Sequence, residues 1–117
     1  MLSFSSKQRY FLYRGITDMR KSFTGLCGIV NNEFTHPLMS RDIFVFINKR
    51  KNHIKLLMWD VSGFAIYHKR LEKGTFEMPS INEEKETMEL SWRDVVFLLE
   101  GVQLKSVKMR KRYKETA

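Results

Sequence analysis

Cysteine is scarce in this sequence and long apolar runs are absent, and each of these features excludes a class of protein. The one cysteine, Cys27, excludes an internal disulfide and favours a reducing compartment. No stretch of about 18 or more apolar residues occurs, so we expect neither a membrane span nor a membrane partner. The first residues contain no sustained apolar run before a small-residue cleavage site. We therefore expect a cytoplasmic protein without a signal peptide.

Residue groups that carry catalysis are also missing. The histidines lack the spacing of a metal set and no cysteine pair supports them: His36, His53 and His68. A buried, unreactive thiol is the simpler interpretation of Cys27, because it lies in an amphipathic segment. A two-metal site needs several carboxylates close together in space. The aspartates have other expected positions: Asp18 in the first turn of a helix, Asp60 in a turn after a strand and Asp94 at a helix cap. We predict a protein that is not an enzyme and has no cofactor.

What remains is the composition of a folded, basic domain. The chain has 117 residues, of which 43% are hydrophobic and 13% aromatic, enough for one core. Its formal net charge is +8. Residues 7–21, 41–73 and 103–117 are net basic and residues 74–100 net acidic. Such a molecule attracts polyanions, nucleic acid above all.

Up to the segment "MEL", hydrophobic patterning predicts a strand, a helix and then a series of strands. The stretch "RYFLYRG" at 9–15 is typical of a short strand. The next segment has helical spacing, with Thr17 as N-cap and Asp18 in the first turn. Short apolar segments separated by turns then indicate an antiparallel meander, with "MEL" as a further strand: "DIFVFIN", "HIKLLMW", "FAIYHKRLE" and "FEMP".

A second helix is predicted in "SWRDVVFLLEG", where Ser91 is the N-cap, Asp94 its capping-box partner and Gly101 the C-cap. The fold class is therefore α+β, an antiparallel β-meander sheet of about four to six strands with two helices packed on it. We assign residues 1–102 to this single domain and residues 103–117 to a basic C-terminal tail.

Basic residues in four places are candidates for DNA contact, since Lys and Arg neutralise phosphates and release condensed counterions. We call Lys49–Lys51, between two apolar segments, the basic turn. The candidates are Arg20, Lys21, Lys49, Arg50, Lys51, Lys55, Lys69, Arg70, Lys108, Arg110, Lys111 and Arg112.

Each candidate group has a structural alternative. A hairpin tip is usually polar and solvated, and a basic tail also serves solubility. Arg20 could instead form an ion pair with Asp18 or Glu33 that orients the helix. The aromatic residues interleaved with the basic ones are more often core than platforms for stacking bases: Trp59, Phe64, Tyr67 and Phe76.

Five segments, in order and spacing, resemble a known family: "GITDMRKSFTGL", "FVFINKRKNHIKLLMWD", "GF", "KRLEKGTFEMP" and "LLEGV". The family is the transposition accessory protein TnpB of the insertion sequence 66 family, which is unrelated to the RNA-guided nuclease of the same name. The resemblance runs from about Gly15 to Val102 and excludes the tail. It implies a protein encoded beside a separate transposase, which carries the DNA-cutting carboxylates.

Charge and resemblance together predict a non-catalytic accessory protein for DNA transposition that binds DNA, such as the element ends, electrostatically. The alternative is an adaptor that docks on the element's transposase, through the acidic loop 83–89 or an apolar edge, without touching DNA. A third alternative is binding to the element's transcript. The sequence leaves the oligomeric state open.

Overall fold

The computed structural model describes residues 4–35, 41–78 and 85–100, together with the backbone of 102–103 and 108–109. The elements are β1 (Tyr10–Tyr13), α1 (Phe23–Glu33), β2 (Ile43–Ile47), β3 (His53–Asp60), β4 (Gly63–Arg70), β5 (Thr87–Leu90), α2 (Trp92–Glu100), β6 (Val102–Gln103) and β7 (Lys108–Met109). The α+β class is confirmed.

Five of the strands form one mixed sheet in the order β4-β3-β2-β1-β5, and β6 pairs with β7 separately. The predicted meander is confirmed for β2, β3 and β4, which pair antiparallel in sequence order. The prediction of an antiparallel sheet is wrong for β1, which lies parallel to β2. The connection between these two strands contains α1 and is long enough to return the chain to the same end of the sheet, as parallel pairing requires.

The segment "FEMP" was expected to continue the meander, but residues 75–78 form no strand. Phe76 is 1% exposed and packs in the core instead. Its N–H donates to the carbonyl oxygen of Lys51 at 2.6 Å. This contact fixes the segment against the basic turn. The expected strand "MEL" is confirmed as part of β5.

Both faces of the sheet are covered, which explains why every residue of β2 is buried. On one face, Val95 and Leu98 of α2 pack with Leu12, Val45 and other strand residues. On the other face, Leu26 and Val30 of α1 pack with Phe11, Phe44 and Leu57. The domain therefore has three layers, with the sheet between two helices.

The helix starts differ in how well local sequence specifies them. The capping box of α2 is confirmed: Asp94 N–H donates to Ser91 Oγ at 3.1 Å, and Ser91 N–H donates to Asp94 Oδ2 at 3.3 Å. The predicted start of α1 is wrong, because its N-cap is Ser22 rather than Thr17. The N–H of Thr17 donates to the carbonyl oxygen of Ile47 at 3.1 Å, so Thr17 joins the end of β2.

Gly101, the predicted C-cap of α2, falls outside the described residues. Within residues 4–35, 41–78 and 85–100, no helix combines the length and the apolar character needed to cross a membrane.

Candidate nucleic-acid interface

One end of the sheet gathers most of the predicted basic segments, and we call it the basic end. The register pairs Tyr13 with Phe46, Ile47 with Ile54, and His53 with Arg70. The last residues of β1, β2 and β4 and the first residue of β3 therefore lie at the same end. The segment 14–21, the basic turn and the end of β4 meet there.

The backbone of the basic turn is fixed by two asparagines. Asn48 Oδ1 accepts the N–H groups of Asn52 and His53, each at 3.0 Å, and Asn48 Nδ2 donates to Asn52 Oδ1 at 2.8 Å. Lys51 has a φ of 56°, a conformation that costs a non-glycine residue energy unless neighbouring contacts hold it. The side chains of the basic turn are all exposed. The turn thus presents positive charge from a backbone that side-chain hydrogen bonds hold in place.

Arg20 and Lys21 lie in a turn that precedes α1. Asp18 Oδ1 accepts the N–H of Arg20 at 2.9 Å, and the two carboxylate oxygens bind the guanidinium at 2.7–3.1 Å. These hydrogen bonds lower the pKa of Asp18 to about 2. The ion pair considered for Arg20 therefore exists, with Asp18 as partner. The Arg20 side chain remains 92% exposed, and Lys21 is exposed beside it.

Lys55 has a different position from the other candidates because it is only 7% exposed. Its ammonium donates to the carbonyl oxygen of Met19 at 2.9 Å and to that of Lys21 at 2.7 Å. Lys55 thus ties β3 to the turn before α1 and does not face an external partner. Its place inside the apolar stretch "HIKLLMW" was the sequence signal for this burial.

Lys69 and Arg70 point to opposite faces of the sheet, as neighbours on a strand must. Lys69 Nζ donates to the carbonyl oxygen of Leu99 at 2.6 Å, in the last turn of α2. A cation at this position satisfies an otherwise unpaired carbonyl and interacts well with the helix dipole. Arg70 is 62% exposed and forms an ion pair of 3.0 Å with Glu72. Only Arg70 of the two lies open to a ligand.

The structure thus brings together the basic turn, Lys21, Arg20 and Arg70, and it gives Lys55 and Lys69 internal partners. The candidates of the tail lie outside the described side chains: Lys108, Arg110, Lys111 and Arg112. Among the residues that the structure describes, no group of three or more His, Cys, Asp or Glu side chains could hold a metal ion.

Two histidines at the basic end were not chosen from the sequence. His53 Nδ1 and His68 Nε2 are 2.8 Å apart, so the rings of adjacent strands share a hydrogen bond. Burial, the charge of Lys55 and the neighbouring His53 lower the pKa of His68. The spacing of fifteen residues gives no sign of this pair. It depends on the β3–β4 register.

The far end of the sheet carries fewer exposed basic side chains. There Arg9 makes two hydrogen bonds to Asp42, of 3.0 Å and 2.8 Å. Lys7 and Arg41 are exposed and line the same open surface pocket. These two residues provide a comparison for the basic end, since they carry the same charge as Lys49 and Arg50 on side chains that are also exposed.

The sequence pattern of the IS66 Orf2-like protein family matches residues 8–109. The chain belongs to this family. The resemblance found in the sequence is confirmed. Two proteins of Sinorhizobium fredii are similar to the chain, and both are named only as uncharacterised. One, y4jC, is 29% identical over 93 residues, covering 80% of this chain and 78% of y4jC. The other, y4hO, is 28% identical over 102 residues, covering 87% of each. No solved structure matches the chain.

Membership of the IS66 Orf2-like family suggests an accessory role in transposition. Three basic residues on which the resemblance rests have hydrogen-bond partners within this chain: Lys55 and Lys69 donate to carbonyl oxygens, and Arg20 donates to Asp18. The exposed basic turn lies at the same end of the sheet. The resemblance thus includes the scaffold that positions the basic end.

Proposed function

We propose that the protein is a non-catalytic accessory factor in DNA transposition that binds DNA electrostatically through the basic end. The observation that carries this proposal is the exposed basic turn, whose backbone is held by hydrogen bonds and which shares its end of the sheet with Lys21 and Arg70. The family supports the accessory role, and the charge distribution supports the nucleic-acid partner.

The dimensions of the basic end suit a DNA duplex. Strands β1 to β4 are adjacent, and at a spacing of about 4.8 Å they span about 15 Å. The major groove of B-DNA is about 12 Å wide. The basic end is therefore about as wide as one groove, and its exposed basic side chains can contact the phosphates that border it.

The contacts available are of the kind that bind the backbone rather than read bases. Lys and Arg side chains on a turn reach phosphate oxygens, and such contacts fix position without carrying sequence information. The ion pairs of Arg20 and Arg70 are exposed, so water and salt screen them and they contribute little to stability. Phosphates can therefore displace Asp18 or Glu72. We expect the affinity for DNA to fall steeply as salt concentration rises and to depend little on the DNA sequence.

A salt titration with charge-matched variants tests the proposal. One double variant, K49Q/R50Q, removes two charges from the basic turn, and the control, K7Q/R41Q, removes two from the far end. If both charges of the basic turn contact phosphates, the slope of log affinity against log salt becomes shallower by about 1.8. At about 0.1 M salt this loss weakens binding by at least about tenfold. Fluorescence anisotropy with element-end and random duplexes measures both quantities.

The control should bind like the wild type, because its charges lie at the far end. Equal losses in the two variants would show that only net charge matters and would contradict the proposed surface. No binding of the wild-type protein to either duplex at low salt would contradict DNA binding altogether.

The adaptor alternative has one observation of its own. Ile16 and Phe23, on either side of the turn before α1, are 68% and 45% exposed, although both are large and apolar. A transposase could cover them. If so, the I16S/F23S variant should lose co-purification with the transposase from nuclease-treated extract while keeping the circular-dichroism spectrum of the wild type. Co-purification that needs intact nucleic acid would contradict the adaptor.

A further inference from the structure

A cluster of four basic side chains lies on the α1 face of the β3–β4 hairpin, at the basic end. Side chains alternate along a strand, so His53 and Lys55 of β3 share this face with His68 and Arg70 of β4. The register places His53 opposite Arg70 and Lys55 opposite His68. The ring centroids of the two histidines are 5.1 Å apart.

We propose that the His53–His68 pair is a proton-linked contact for a DNA phosphate, which takes up a proton from solvent when the basic end binds DNA. This proposal deepens the proposed function and rests on it. The ligand is a phosphate diester, and the two imidazoles supply the N–H donors.

The hydrogen bond between the rings makes the pair suited to this task. In the neutral state one ring nitrogen donates to the other across 2.8 Å. When a proton is added, both nitrogens of the protonated ring donate, so the pair gains a donor as well as a positive charge. His68 is exposed on the edge strand β4, so a phosphate can reach it from outside the sheet.

Without a ligand, the surroundings disfavour that proton. Lys55 on β3 and Arg70 on β4 are cationic neighbours, and the turn held by Lys55 adds Arg20 and Lys21. The described carboxylates of these segments are Asp18 and Glu72, which accept hydrogen bonds from Arg20 and Arg70.

A lowered pKa of His68 agrees with this charge balance. An anion that reverses the balance must therefore come from a partner. A phosphate placed beside His68 and Arg70 raises the proton affinity of the pair, and by linkage a lower pH tightens DNA binding.

The experiment measures DNA affinity at about pH 6 and about pH 8, at one ionic strength and with EDTA present to remove metal ions. One added phosphate contact should tighten wild-type binding several-fold at the lower pH. The H53Q/H68Q variant should lose most of this difference. The H36Q variant is the control and should keep the pH effect.

A second measurement reports on the pair directly. Imidazole ¹⁵N resonances of the full-length protein give the pKa of each histidine with and without a short duplex. We expect the pKa of His68 to rise when the duplex is added. Wild-type binding that is the same at both pH values, or a pH effect that H53Q/H68Q retains, would overturn the proposal and leave DNA binding intact. A failure to bind at either pH would instead overturn the proposed function.

Discussion

Replacing Lys55 with methionine removes the ammonium that joins β3 to the turn before α1 and keeps an apolar stem of similar length. In the wild type this ammonium donates to the carbonyl oxygens of Met19 and Lys21 at 2.9 Å and 2.7 Å, on a side chain that is 7% exposed. A hydrogen bond that involves a charged group contributes a net stabilisation of about 1.5–3 kcal/mol. The contributions of two such bonds to one ammonium are not additive, and the variant no longer has the cost of burying an ammonium. The expected loss is therefore smaller than the sum of the two bonds.

We therefore expect the Lys55→Met variant to lose about 3 kcal/mol of unfolding free energy. For a domain of this size the loss corresponds to a decrease in Tm of roughly 12 °C. Urea unfolding followed by circular dichroism and by tryptophan fluorescence measures the change. The Lys49→Met variant is the matched control, because Lys49 is exposed, and its stability should change by less than about 0.5 kcal/mol. A Lys55→Met loss equally small would refute the assignment of Lys55 as a structural tether.

Two further predictions concern local backbone structure. The Val61→Asn variant should be about 1 kcal/mol more stable than the wild type, because asparagine tolerates a positive φ better than a β-branched residue. Val61 has a φ of 49° and is 78% exposed. A lower Tm of the variant in thermal unfolding would contradict this prediction. The Ser91→Ala variant should lose about 1 kcal/mol, because Ser91 Oγ accepts the N–H of Asp94 at the start of α2. Unchanged urea unfolding would show that the cap contributes nothing.

The sequence allowed prediction of the elements that short-range chemistry determines. Ser91 and Asp94 are three residues apart, so the capping box could be recognised without knowledge of the rest of the fold. The β2–β4 meander was equally predictable, since its connections are short and its apolar segments well separated. Thr17 has the chemistry of an N-cap, but its N–H donates to the carbonyl oxygen of Ile47, thirty residues away. The helix starts later, with Ser22 as its N-cap.

Long-range contacts account for what the sequence did not reveal about the candidate site. The parallel pairing of β1 with β2 depends on a crossover whose return path no local pattern specifies. Composition marked Lys49, Lys55 and Lys69 alike as basic, whereas the fold exposes the first and gives the other two carbonyl partners. Charge along the chain therefore indicates a polyanion partner but not which lysines are available to bind it.

Backbone amide chemical-shift mapping with a short DNA duplex tests the central claim most directly. The account predicts changes concentrated in residues 20–21, 48–53 and 68–70, which together surround the basic turn. Residues 5–9 and 41–42 at the far end should shift little. Changes concentrated at the far end, or none in residues 48–53 when the duplex saturates the protein, would contradict DNA binding through the basic end.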